Sequence, residues 1–189
     1  MHISPDYTDN DWKVAFQGGE HWDRAIAIVK DRIEGWWLRW ADELAPFRFS
    51  GFAVLALDCI VLESLWGFMN GKGTPKGSGL DVYRNILKGP RFGWTDKQCD
   101  DFREFVRNGL MHDAETRKGW LVEKSIPRNS IVKQSKHGDY RINRTRFHQA
   151  LKAAVADWIN ELRRGQDIAL RKNMRKRMDQ IISKHFATR

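Results

Sequence analysis

From Phe52 to Met69 the chain is apolar at almost every position, and the charged breaks are Asp58 and Glu63. A helix that is hydrophobic around most of its circumference has to be buried, so the rest of the chain must wrap it. Two carboxylates inside so short a run argue against a membrane span. Leu55, Cys59, Leu62 and Trp66 form its densest stripe, which predicts a central helix from about Gly51 to Asn70. The fold class that follows is mainly α.

The flanking segments carry the same helical period. Ala25, Ile28, Val29, Ile33, Trp36, Trp37 and Trp40 recur at three- and four-residue steps, predicting one helix from His21 to about Leu44 that Pro46 ends. A short helix is expected over Leu80–Leu87. Thr95 with Gln98 three residues on reads as a capping box, opening a helix that carries Cys99, Phe102, Phe105, Val106, Gly109 and Leu110 on one face. Trp120–Val122, Ser130–Val132 and Tyr140–Ile142 read as short strands of a small antiparallel ribbon, about 119–143. Helix returns with Phe147, Leu151, Val155, Trp158 and Leu162, is interrupted at Gly165, and resumes as a basic amphipathic segment. The expected organisation is an N-terminal extension (1–20), a helical domain (21–165) and a basic C-terminal helix (166–189) packed on that domain. The stretch Gly71–Gly79 lacks the order of a phosphate-binding loop, because Gly73 follows Lys72, and it reads as a linker.

Charge is unevenly spread. Residues 1–63 hold six Lys/Arg against eleven Asp/Glu, whereas the remainder holds 27 against 13. A basic portion of that size attracts polyanions, nucleic acid above all. For the C-terminal helix, nucleic-acid contact, a partner or membrane surface, and packing on its own domain all remain open. Cys59 and Cys99 are too few for a disulfide framework and read as core residues, so a reducing, cytoplasmic setting is expected. The start is polar and acidic, without the pattern of a secretory signal. No cluster has convincing metal-ligand spacing, and no cofactor or metal is expected. His137, His148 and His185 read as isolated, solvated surface positions.

The stretch Arg107-Asn108-Gly109-Leu110-Met111-His112 carries the chemistry. Arginine offers a permanent forked cation for a phosphate, and histidine gives and takes protons near neutrality. On a straight helix five steps leave Arg107 and His112 about 140° apart. Asn108 and His112, four apart, share a face. For the cation and the imidazole to meet, Gly109 or the helix end must loosen the turn, Arg107 must reach round, or a second subunit must complete the site. Gly109 suits a bend or the close approach of another backbone. A frayed helix end, with His112 favouring the negative dipole, would also produce this spacing. Glu63 lies beside the stripe of the central helix, where it is either a boundary residue on a partly solvated edge or a buried carboxylate that needs a partner, for which Arg107 is the obvious candidate. Asp58 raises the same question.

Phe102–His112 followed by Ala114-Glu115-Thr116, and preceded by the acidic helix around Leu57–Leu65, resembles the HEPN superfamily, whose signature is Arg-polar-x3-5-His at a helix end. The resemblance spans about residues 50–120. It implies an antiparallel helical bundle and a metal-independent endoribonuclease that dimerises so that two Arg–His pairs line one cleft. It further implies that Arg107 holds the scissile phosphate and that His112 is general acid or base. Asn108 would orient the site and Glu63 support it. Toxin–antitoxin and phage-defence settings follow, with an antitoxin or inhibitor protein as a partner. In members silenced by nucleotidyltransferase antitoxins a tyrosine stands two residues after the histidine; Ala114 stands here, which argues against that control. The rival expectation is a non-catalytic helical module that binds RNA or protein.

Overall fold

The computed structural model describes residues 1–73, 79–124, 126 and 130–186. The side chain of His185 and most of the expected linker lie outside the described residues. The chain is mostly helical with one small sheet. Gly51–Asn70 (α4) is the central element, as its composition demands, and packs against α3 (Arg39–Leu44), α5 (Leu80–Leu87), α8 (Arg144–Arg164) and α9 (Ile168–Phe186). Among the described residues it is the one helix long and apolar enough to cross a membrane, yet its apolar side chains form the core of this bundle.

Local rules explain most boundaries. Thr8 caps α1 (Asp9–Val14) and Thr95 caps α6 (Asp96–Asp101), each with a reciprocal box. Gly71 and Gly165 close α4 and α8 in the left-handed conformation. The first twenty residues do not trail from the bundle: Ile3, Trp12 and Ala15 are core residues, and the Trp12 indole donates to Asp179 at 2.7 Å. At the other end, Met174, Met178 and Ile182 of α9 are buried in the same core.

The expected stripe of the first long helix is corrected beyond Ile33. α2 (Trp22–Ile33) passes through a π-helical turn, Glu34–Leu38, before continuing as α3. A π turn inserts one residue into the helical repeat, so inward positions move on by one. Leu38 and Ala41 are therefore buried, Trp37 packs on the core, and Trp40 is turned out, 53% exposed.

The ribbon is corrected too. β1 (Trp120–Glu123), β2 (Val132–Gln134) and β3 (Tyr140–Asn143) form a mixed sheet in the order β1-β3-β2, with β1 parallel to β3. β3 takes the centre because Tyr140 and Ile142 both face the core. A short turn returns β2 antiparallel to it, while the parallel register sets Trp120 opposite Tyr140, with the rings stacked at 4.6 Å.

Candidate active site

Three elements bring Glu63, Arg107 and Asn108 together with Tyr83, a residue the sequence did not mark. α4 supplies Glu63, α5 supplies Tyr83, and Arg107 ends a second π-helical turn, Phe102–Arg107, that runs into α7 (Asn108–Asp113). Glu63 Oε1 accepts from Arg107 Nε at 2.8 Å and from the Tyr83 hydroxyl at 2.6 Å. Arg107 Nη1 donates to Asn108 Oδ1 at 3.3 Å, and Asn108 Nδ2 donates to Glu104 Oε2 at 3.1 Å. The carboxylate thus holds the guanidinium by its Nε edge. The Nη2 side has no protein hydrogen-bond partner among the described residues, so it remains available to an anion.

Burial alone would lower the Arg107 pKa, but the hydrogen bond and charge of Glu63 carry it above the ordinary value. Tyr83 is raised, by burial first and then by the charges around it, and stays a donor. Burial does the same to the Cys59 thiol, one turn before Glu63. Arg107 and Glu63 form the ion pair of this cluster, and both keep partial solvent access, 29% and 20%.

His112 stands apart. It is exposed in the last turn of α7, and its ring makes no hydrogen bond or ion pair among the described residues. Arg107 itself has helical dihedrals, φ −62° and ψ −51°, and the wide turn precedes Asn108, whose N–H donates to Arg103 O. From Arg107 to His112 the helix is regular, so their directions differ by about 140°. Asn108 lies between them on the outward side. The structure therefore joins Glu63, Arg107 and Asn108 and leaves His112 on the neighbouring face.

Gly109 does not loosen the helix. Ala114 turns back in the left-handed region, φ 58°, and brings the Glu115 carbonyl over Gly109; a Cβ there would lie 2.4 Å from that oxygen. The close backbone approach explains the glycine. Gly109→Ala would gain about 1 kcal/mol of helix propensity. It must then displace backbone at overpacking costs of about 1–3 kcal/mol. The expected outcome is a net loss of stability in urea unfolding with a detached 114–117 turn; a stabilised variant would contradict the packing.

A second polar cluster corrects the reading of His148 as a solvated position. His148 is buried on α8, with Nδ1 2.7 Å from Asp58 Oδ1 and Nε2 3.1 Å from Asp42 Oδ1. Lys152 donates to Asp42 at 2.7 Å. The signal was present in the sequence: His148 lies seven residues before Val155 and eleven before Ile159, inside the apolar stripe of its helix. His137 is exposed as expected. Among the described residues no group of three His, Cys, Asp or Glu is arranged to hold a metal ion. A cavity of about 410 Å³ between Leu65, Ile86, Trp158 and Leu170 is lined by none of the four proposed site residues.

No protein-family model, curated protein or solved structure matches this chain.

Proposed function

We propose that the chain is a metal-independent endoribonuclease of HEPN type, working as a homodimer in which two copies of Arg107 and His112 share one cleft. The observation that carries the reading is the Arg107 guanidinium, gripped by Glu63 at Nε and steadied by Asn108 at Nη1, while Nη2 has no protein hydrogen-bond partner among the described residues. Such a cation suits a phosphodiester and the charge that develops on it.

In this reading one imidazole takes the proton of the ribose 2′-hydroxyl as the 2′-oxygen attacks phosphorus. The bond from phosphorus to the 5′-oxygen breaks, the second imidazole protonates that oxygen, and a 2′,3′-cyclic phosphate remains. Arg107 neutralises the non-bridging oxygens, and Asn108 holds the outer side of the guanidinium. Support for twin subunits comes from α4, where Ala53, Leu57, Ile60 and Ser64 share one face, left partly open to solvent and adjoining Glu63. The implied setting is cytoplasmic, as a toxin or phage-defence nuclease restrained by an antitoxin or inhibitor protein.

One observation favours a non-catalytic RNA- or protein-binding module instead: Arg107 and His112 diverge within a single chain. A simple experiment separates the two. Wild type and His112→Ala are incubated with single-stranded RNA in excess chelator. The nuclease reading expects cyclic-phosphate products from wild type and a loss of about 10²–10⁴-fold in the variant. Intact RNA with both proteins would leave the binding module.

A further inference from the structure

The turn between α3 and α4 exposes Phe47 and Phe49 at 65% and 88%, and Trp40 before it and Phe52 after it at 53% and 40%. Four large aromatic side chains open to water within thirteen residues are costly to leave unused. The turn that carries them is nevertheless tied down. Arg144, only 2% exposed, donates to Phe47 O at 2.6 Å and to Ala45 O at 3.4 Å, and also to Ser50 Oγ. Ser50 Oγ in turn shares its one proton between Leu44 O at 2.5 Å and Phe47 O at 3.0 Å, and Lys124 Nζ donates to Pro46 O at 3.3 Å. A buried arginine spent on holding an exposed aromatic turn indicates a surface whose shape matters.

Its charge identifies the partner. The Arg48 guanidinium lies over the Phe49 ring and that of Arg39 over Trp40, at 5.2 and 5.6 Å. Arg39, Arg48 and Lys124 have no carboxylate partner among the described residues, whereas nearby Asp42 and Glu123 are neutralised by Lys152 and Arg141. Glu43 is the remaining acid on α3. Aromatic faces interleaved with arginine fit the unstacked bases and backbone of a single strand. The alignment agrees, since Phe52 and Glu63 are eleven residues apart on α4. They stand within about 20° of one another and about 16 Å apart along its axis. A strand stacked at the turn would run along that edge to Arg107.

We infer that Phe47, Phe49 and Phe52, flanked by Arg39, Arg48 and Lys124, form a base-stacking platform for single-stranded RNA. Its role as an entry to Arg107 rests on the nuclease reading above; the platform itself does not. The test uses the full chain carrying His112→Ala, which suspends cutting without touching the turn, and a fluorescein-labelled single-stranded oligouridylate. Binding is followed by anisotropy, alone and with Phe47→Ala/Phe49→Ala added. The added pair should weaken binding on the order of tenfold or more. Phe47→Tyr/Phe49→Tyr should restore it, and a blunt RNA duplex should not discriminate among the three.

Equal affinity for the single strand would overturn the platform. So would a pair that leaves RNA binding intact but abolishes self-association in sedimentation, or adhesion to phosphatidylserine vesicles. If wild type fails to cut RNA while the aromatic pair still governs binding, the nuclease reading falls and the platform stands. If wild type cuts and the pair changes neither binding nor KM, the platform falls alone.

Discussion

His148→Ala should cost about 3–5 kcal/mol of folding stability, a large share of the 5–15 kcal/mol that holds a typical domain together. The reason lies in what is left behind. Asp58 is fully buried, its Oδ1 is met by His148, and its Oδ2 has no hydrogen-bond partner among the described residues. Removing the imidazole strands a carboxylate in the core between α4 and α8. A His148→Phe/Asp58→Leu pair removes both charges and should recover most of the loss. Should the pair unfold as readily as His148→Ala, an uncompensated carboxylate is not the cause.

The same contact makes stability depend on pH. A ring between two carboxylates satisfies both only as an imidazolium, donating from each nitrogen. Burial would lower the His148 pKa, but the hydrogen bonds and charges of Asp58 and Asp42 raise it above the ordinary value. Its stabilisation is therefore complete below the unfolded histidine pKa and is lost as pH rises through the higher folded value. Asp58 is raised, by burial first, so its ionisation also lowers stability as pH rises above the ordinary carboxylate value. Asp42 behaves oppositely. Burial would raise it, yet Lys152 and His148 hold it low, so its contribution is lost only as pH falls below the usual carboxylate range. Urea unfolding should show wild type losing stability as pH rises above the ordinary histidine value of about 6.5. The gap to His148→Ala should narrow over the same interval. A gap that widens would mean the ring is buried neutral.

Arg107→Ala should lower RNA cleavage by about 10²–10³-fold, the loss typical of removing one preorganised donor from a developing oxyanion. Arg107→Lys should recover little, since an ammonium cannot hold Glu63 with one edge while offering a planar fork to phosphate. Glu63→Gln keeps an acceptor for Arg107 Nε and the Tyr83 hydroxyl, so it should fall well short of the arginine loss. Glu63→Ala, which frees the guanidinium, should approach it. Single-turnover rates on one RNA would order the four variants. Arg107→Ala cutting as fast as wild type would remove the guanidinium from the chemistry.

The two polar clusters were unequally legible. Glu63 sat beside the stripe of a helix too apolar to be anything but central, so its need for a cation could be argued, and Arg107 occupied the neighbouring motif. His148, a lone histidine flanked by Arg146, Gln149 and Lys152, carries no mark of burial in its immediate neighbours. Its place within the apolar stripe of α8 was the available signal. Trp40 is a different case: a π turn inserts a residue without any change in composition, so steps of 3.6 from Ile33 fall out of phase beyond it.

Read alone, the sequence determined the long helices, the Thr95 cap, the centrality of α4, the buried thiols and the Arg107 motif, but neither α1 nor its Thr8 cap. These depend on contacts a few residues apart, where hydrogen-bond geometry and apolar period act locally. Tertiary structure alone decided the outward Trp40, the parallel pairing of β1 with β3, and the Asp58–His148–Asp42 bridge. It also decided which groups of the motif share a face. The strand pairing and the bridge join residues distant in the chain, whose pairing depends on how whole elements stack and which buried charges must be neutralised once they do; Trp40 is turned outward by the π turn just before it.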